Sequence, residues 1–562
     1  MQIVIGKKRL NLDIHPHPDN NELLTVKFPY NKDLVAEMKV MDKPRDCFNG
    51  DTKTWIINNN RRNMFALDIL QNGEKIHRYD LPIPEQVWDD NWSHQNDMQN
   101  AVLTRKQCII AGEMRTGKTR PLLRILKETN PKIVWIVSTK SGCKSIVREQ
   151  IKANLVPDGE VRLFSYQGFS IHMNKLLSMK ETIGYPVDKD KGQIPSFVIF
   201  DEIQKLKTWT AGVTKNAMIL SNWMYCVYGY DGYFMVGLSG TPAPKNPLDW
   251  WSICEIIQPG FIREPSLAKF KMRYAHTELK EGNYGNYINI KDWNKVELDK
   301  LRRRLKPLVF VFLKKDCLDL PDKQYEIVEL TCSKELFRVA KTIARNEDNG
   351  LAARNKLRQL SDGFQYKYDE YDERTGTKKR IDSTFVGTPK LDQLTEDLLE
   401  IEDVGRVVIY AGYKGSIDIV TEHCVKAGWT VLQVDGRGYN VFGADDEAIT
   451  SDLCLDEMDR STDTGSIIKL AIVMNQDSGS TGMEFSSAPL FIYYSNTDKG
   501  ESRMQSEDRG HSNNMDKNRG LLIKDYCVLP SDYKMREQLM LKKDLQNITM
   551  GEWKSLYDEM ES

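Results

Sequence analysis

Short uninterrupted apolar runs recur along the chain, among them KIVWIVS, SFVIF, YFMVGL, PLVFVFL, RVVIY and PLFIYY. Continuous stretches rich in Val, Ile, Phe and Tyr are what strands covered on both faces of a parallel sheet require. From Gln107 to Thr241 five segments fit: QCIIAG, KIVWIVST, VRLFSY, SFVIFDE and YFMVGLSGT. A second series, from Arg406 onward, reads RVVIYAGY, TVLQVD, KLAIVM, PLFIYYS and LLIKDYCV. The longer segments of mixed polarity between them suit helices. The expected fold class is therefore α/β, with two parallel-sheet domains in tandem.

Ser333 to Pro389 breaks the pattern, being strongly charged and containing YKYDEYDERTGTKKRID, a loop or hairpin by composition. It reads as a helical insertion plus linker. About ninety residues precede Gln95, set off by the paired prolines of LPIPEQVWDDNW, and suit a small α+β domain. No repeat of 20–50 residues is present.

At 562 residues the chain exceeds a single core, and about three to four domains are expected. The 79 Lys+Arg and 80 Asp+Glu leave a net charge of −1, so nucleic-acid binding would need local patches. The ten cysteines are scattered without a CxxC pair, and the eight histidines lack metal-ligand spacing, His15 and His17 falling beside Pro16 and Pro18 in an expected early turn. Reduced thiols, a cytoplasmic location and no metal site built from His or Cys follow as expectations. The start, MQIVIGKKRLNLDIH, lacks a signal core, and no apolar run approaches a membrane span.

The chemistry begins at AGEMRTGKTR. Gly112, Gly117, Lys118 and Thr119 satisfy G-x-x-x-x-G-K-[ST] between the strand candidate QCIIA and the helical TRPLLRILKET. Glycines let such a loop turn backbone N–H groups around phosphates; Lys118 would reach the β/γ-phosphates and the Thr119 hydroxyl would bind Mg²⁺. FVIFDEIQKLK ends a strand in Asp201 and Glu202, which suits a Mg²⁺ carboxylate beside a water-polarising neighbour. VGLSGTPAP places Ser239, Gly240, Thr241 and Pro242 at another strand end, where hydroxyls can couple the site to a moving partner.

Taken in order, GEMRTGKT, DEIQ, SGTPAPKNPLDWW, KKDCLDLPDK, VGTPKLDQL, VIYAGYKGSIDIV, STGMEFSSA and QSEDRGH resemble the successive motifs of the Snf2 family of superfamily 2 helicase-like ATPases, in its bacterial or phage form. The resemblance covers about Trp92 to Val528 and implies two RecA-like domains. It places Gln95, Gly112, Thr116, Gly117, Lys118, Thr119, Gly482 and Glu484 at ATP, with Thr119 and Asp201 on Mg²⁺. It gives Lys118, Asp201, Glu202, Gln505 and Arg509 catalytic roles, Arg509 as the arginine finger. Thr139 and Lys140, Ser165 and Tyr166, and Ser480 and Thr481 would meet nucleic acid, Gly479 belonging to the same segment. The family pattern Q-x-x-x-R-x-x-R is broken, because Ser512 stands where the second arginine falls; Arg503 or Arg519 could assist Arg509.

VKFPYNKDLVAEMKVM, Arg45 and TWIINNNRRNMFALDIL resemble the HARP domain of the annealing-helicase branch. Tyr30, Lys32, Arg61 and Arg62 could supply stacking and phosphate contacts, with Arg61 and Arg62 expected to be exposed; Phe28 and Trp55 could equally be core. Trp250 and Trp251 read as core, while Lys314-Lys315 and Arg302 to Arg304 could flank a DNA channel.

The expected organisation is a HARP-like domain over 1–84, RecA-like domain 1 over 92–265, a helical insertion and linker over 266–390, RecA-like domain 2 over 391–545, and a tail over 546–562. The expected activity is ATP- and Mg²⁺-dependent translocation on duplex, forked or branched DNA by a monomer, with single-stranded DNA a further candidate partner and no membrane. An RNA-directed helicase and a catalytically weak DNA-binding scaffold are the alternatives.

Overall fold

The computed structural model describes residues 2–5, 8–72, 82–88, 92–183, 194–229, 231–240, 247–282, 285–346, 350–372, 377–444, 449–459, 468–477, 483–497 and 499–541. The chain forms two compact units that divide between Cys317 and Leu318.

The first unit is built on a six-stranded sheet in the order Val309–Phe312, Gln107–Gly112, Phe234–Ser239, Phe197–Asp201, Ile133–Ser138, Glu160–Ser165. Every pairing in it is parallel. Gln107–Gly112 and Ile133–Ser138 are buried at every position. Alternate residues serve opposite faces, so Trp135 and Val137 join one apolar cluster while Val134 and Ile136 join another. All five strands expected from the apolar runs are present. The sixth, from PLVFVFL, pairs with the strand that leads into AGEMRTGKT.

The second unit carries a seven-stranded sheet in the order Gln324–Glu329, Leu522–Cys527, Leu490–Tyr493, Arg406–Tyr410, Leu470–Met474, Thr430–Asp435, Gly438–Phe442. Only its last pairing is antiparallel. The five expected strands are again present. The 266–390 stretch is shared between the units, since Val309–Phe312 closes one edge of the first sheet and Gln324–Glu329 one edge of the second. QYEIVE lies mostly exposed at its edge, which explains why no apolar run marks it. The insertion itself contains the helices Lys334–Asn346 and Gly350–Ser361, and then a hairpin of Phe364–Asp372 with Thr377–Phe385. Gly363, at φ +91°, ends the second helix and turns the chain into that hairpin.

The N-terminal part is α+β: a four-stranded antiparallel sheet, ordered Asp13–His17, Asn20–Lys27, Thr54–Asn58, Phe48–Asn49, packs on the helices Lys32–Val40 and Arg61–Asn72. Val26, Leu34, Met38, Trp55 and Ile57 form its core, with Phe28 packed against it. His15 and His17 lie in the edge strand and not in a turn; Pro16 is tolerated there because an edge strand has an unpaired side. Phe65 leaves this small core, packs into the first unit's main cluster and stacks on Phe261 at 6.0 Å. Trp250 and Trp251 are core, as expected. All ten cysteines are free thiols. Among the described residues no helix is long and apolar enough to cross a membrane. The architecture is that of two tandem RecA-like units with an inserted helical segment and a small α+β domain at the N-terminal end.

Candidate active site

The strand Gln107–Gly112 ends where the loop of AGEMRTGKT begins, and the helix Thr119–Thr129 starts directly behind it. The loop turns through two left-handed residues, Arg115 at φ +68° and Gly117 at φ +72°. A Cβ at Gly112 would lie 2.8 Å from Thr116 Oγ1 and 2.9 Å from Lys118 Cδ, so only glycine lets the lysine fold across the loop. The Thr116 hydroxyl donates to Glu113 O at 2.9 Å. Lys118 Nζ donates to Gly112 O at 2.7 Å and to Glu113 O at 3.0 Å. The ammonium thus sits on backbone carbonyls within the loop, and a phosphate oxygen can replace these acceptors at little geometric cost.

The strand Phe197–Asp201 carries the two acids. Ser138, at the end of the neighbouring strand, donates to Asp201 Oδ2 at 2.5 Å. Burial pushes the Asp201 carboxyl above its usual range, while the Ser138 hydrogen bond and the Lys118 charge pull it back down. A carboxylate so desolvated favours a cation beside it. Mg²⁺ commonly takes one or two carboxylates plus substrate phosphates, and Asp201 with the Thr119 hydroxyl matches that donor set. Among the described residues no cluster of three His, Cys, Asp or Glu side chains forms a separate metal site.

Glu202 is buried in a left-handed conformation at φ +59°. The Gln204 amide donates to its Oε2, and Ser239 Oγ donates to Gln204 Oε1 at 2.9 Å. A hydrogen-bonded chain therefore runs from the serine of VGLSG to the acid of DEIQ. Tyr166, expected on nucleic acid, instead directs its hydroxyl at the carbonyls of Asp201 (2.6 Å) and Glu202 (3.1 Å). The phenol thereby braces the acidic turn, alongside the pairing of Asp201 with Leu238 and the Lys205 N–H bond to Glu202 O.

Gln95, expected at ATP, and His94 and Lys314, which carried no such expectation, hold the loop. His94 Nε2 meets Thr116 O at 2.9 Å, and burial lowers the His94 pKa so that the neutral ring donates there. Gln95 accepts from Trp92 N at 3.2 Å and donates to Gly117 O at 3.3 Å. A Cβ at Gly117 would approach Gln95 Nε2 to 2.3 Å. From the other side, Glu113 Oε2 accepts from Lys314 N at 2.5 Å. The adjacency of His94 to Gln95 was the one available signal in the sequence.

The remaining expected contacts divide into four groups. Tyr30 is 87% exposed and Lys32 and Lys140 are exposed, which leaves them open to solvent. Thr139 caps the helix Lys140–Lys152 by accepting from Gly142 N at 3.0 Å, and Ser165 accepts from Gly168 N at 3.0 Å. Arg62 was expected to be exposed but is committed: it donates to Pro265 O at 3.0 Å and to Glu264 O, and pairs with Glu255 at 3.4 Å. It anchors the N-terminal domain to the first unit. Thr241, Pro242, Gly479, Ser480, Thr481 and Gly482 lie outside the described residues, as does the Arg61 side chain.

In the second unit, Ser512 Oγ donates to Glu484 Oε1 at 2.6 Å. Gln505 is half-buried on the helix Gly500–Glu507. Arg509 is buried, with its guanidinium near the Phe485 ring and Nη1 3.4 Å from Met474 Sδ. Arg503, expected as an assistant to Arg509, is 1% exposed and fully engaged with Asp525, Glu507 and Asn496, so it has no freedom to reach a ligand. Arg519 is exposed and paired with Asp403 at 3.1 Å.

This geometry sets a glycine-bearing loop, crossed by the Lys118 side chain, on the same parallel sheet as the acidic pair Asp201 and Glu202 at a strand end. No protein-family profile matches the chain, and no curated protein matches it. Among solved structures it is similar to the SWI2/SNF2 ATPase core of Sulfolobus solfataricus in complex with dsDNA, with 16% identity over 84% of this chain and 96% of that one, and a TM-score of 0.34.

Proposed function

We propose that the chain is an ATP- and Mg²⁺-dependent DNA translocase of the Snf2 type. The observation that carries the reading is Lys118, whose ammonium lies on the loop carbonyls of Gly112 and Glu113 and whose charge is felt at Asp201. In this reading Lys118 takes the β/γ-phosphates and Glu202, held by Gln204, orients the attacking water. Mg²⁺ held by Thr119 and Asp201 would neutralise phosphate charge. Gln95, Thr116, Gly117, Gly482 and Glu484 complete the nucleotide contacts, and Gln505 and Arg509 act on the transferring phosphoryl group.

Thr139, Lys140, Ser165, Ser480 and Thr481 would contact DNA, with the HARP-like domain adding Tyr30 and Lys32 for branched or forked DNA. Annealing, fork remodelling or displacement of bound proteins would be the outcome, by a cytoplasmic monomer.

One observation favours a second reading. Arg509 is buried beside Met474 and Phe485, and Ser512 binds Glu484 where a second arginine would extend. A catalytically weak DNA-binding scaffold fits that arrangement. Steady-state ATP hydrolysis without nucleic acid and with single-stranded, duplex and forked DNA or RNA, beside Lys118→Ala, separates the readings. Stimulation by duplex or forked DNA that is lost in the variant supports the translocase. Stimulation by RNA alone redirects the substrate, and a flat response equal to the variant's leaves the scaffold.

A further inference from the structure

The helix Gly500–Glu507, GESRMQSE, has one apolar side chain and only eight residues, so neither propensity nor an apolar stripe accounts for its placement. Its buried residues are polar: Arg503 is 1% exposed, and Ser506 and Glu507 are 0% exposed.

Arg503 Nη1 donates to Asp525 Oδ1 at 2.6 Å and Nη2 to Asp525 Oδ2 at 3.1 Å, a two-pronged pair with the strand Leu522–Cys527. Its Nε donates to Glu507 Oε1 at 2.8 Å, and the guanidinium carbon lies 3.3 Å from the centroid of the Tyr493 ring. Asp525 also accepts from Asn496 at 2.8 Å and from Arg536 at 3.3 Å. Tyr410 donates to Ser506 O at 3.0 Å, Tyr493 shares a 2.6 Å bond with Ser506 Oγ, and Tyr325 donates to Glu507 at 2.8 Å. Side chains from four strands of the second sheet thus converge on one short helix.

A buried ion pair adds little net stability over apolar groups of similar volume, because desolvation offsets the attraction. What a two-pronged guanidinium–carboxylate contact does supply is direction. The helix needing that direction carries Gln505, and Arg509 follows two residues beyond its end.

We propose that Arg503, through its pair with Asp525, is a positioning residue that sets the rotation of this helix and so the direction of Gln505 and Arg509, on which turnover depends. The inference rests on the translocase reading. It assigns no contact with ligand to Arg503 itself.

The test uses the full chain, with Arg503→Met/Asp525→Asn and Arg503→Lys beside wild type. DNA-stimulated kcat and KM, affinity for a fluorescent ATP analogue, and thermal unfolding are measured on each. The double variant removes both charges together, so unfolding is expected close to wild type. Nucleotide affinity should hold within about twofold, because binding by the first unit's loop is untouched, while kcat should fall by about tenfold to a hundredfold from misplacement of the reacting groups.

Arg503→Lys keeps the charge but loses the two-pronged contact, and an intermediate kcat is expected. A folded double variant with kcat within about twofold of wild type would overturn the proposal. Should the double variant unfold, Arg503→Lys at native stability decides: reduced kcat supports positioning, and unchanged kcat overturns it. A wild-type protein that binds the analogue without turnover overturns the translocase reading as well, an outcome distinct from retained turnover in the variants.

Discussion

In the first unit the functional loop is held by neutral donors and backbone carbonyls: His94 on Thr116, Gln95 on Gly117, Ser138 on Asp201 and Tyr166 on the acidic turn. In the second, the helix carrying Gln505 is held by buried charges, with Arg503 between Asp525 and Glu507, and Lys323 on Glu507 and Asp508. The sheets are alike, so the difference lies in what each must hold. A tight glycine-bearing loop can be assembled from exchangeable hydrogen bonds. A short helix with no apolar stripe needs strong directional partners to take one orientation. Substitutions in the first site should therefore act on activity with modest loss of stability, whereas removing one charge in the second should cost both.

The largest effect is expected at Asp525. Asp525→Ala strips buried Arg503 of its two-pronged carboxylate, leaving only Glu507 to pair it, and should cost about 3–5 kcal/mol in chemical denaturation; a loss below about 1 kcal/mol, typical of surface pairs, would erase the contrast between the units. Next, Lys118→Ala should lower kcat on the order of 10²–10³-fold, by analogy with loss of one transition-state donor, while the denaturation midpoint stays close to wild type. A stability loss rivalling that of Asp525→Ala would mean that the loop too is held by charge.

Ser138→Ala tests the neutral bracing and should cost about 1 kcal/mol, the net worth of one hydrogen bond. It should also raise the Asp201 carboxyl further, because that bond lowers it. Nucleotide binding at acidic pH is the sensitive assay, and an unchanged pH profile would remove Ser138 from the account.

The smallest effect concerns pH. Burial depresses the His94 pKa below its ordinary 6.5, so the unfolded chain takes up this proton more readily than the folded one. The stability it contributes is whole above about 6.5 and is lost as pH falls through the depressed folded value. His94→Asn keeps a donor for Thr116 O and removes the titration, so its melting temperature should fall less than wild type between neutral pH and pH about 5. Parallel profiles would show that His94 does not titrate in that window; His172 and His423, depressed by burial in the same direction, contribute equally to both proteins.

The central strands were legible because burial on both faces demands unbroken apolar runs, as in Ile133–Ser138 and Arg406–Tyr410. The two edge strands of the second sheet were not. Gln324–Glu329 and Gly438–Phe442 are half-polar, and their assignment depends on a neighbour that local sequence does not name. The turn from Gly112 to Thr119 and the strand end carrying Asp201 and Glu202 were readable as local structure, since adjacent residues set them. The internal partners of Arg62 and Tyr166 were not readable because they lie far along the chain: Glu264 is 202 positions from Arg62, and Asp201 is 35 from Tyr166.

What the sequence determined alone is the pair of α/β sheets, the glycine-bearing loop ending in Lys118 and Thr119, and the two acids at a strand end, each written in adjacent residues whose backbone preferences and polarity suffice. Only the tertiary structure decided that Tyr166 braces those acids, that Arg62 and Phe65 tie the N-terminal domain to the first unit, and that Arg503 is sealed against Asp525. Those roles belong to pairs brought together by folding. A charged or aromatic side chain carries no mark in the sequence of whether its partner will be solvent, ligand or another part of the same chain.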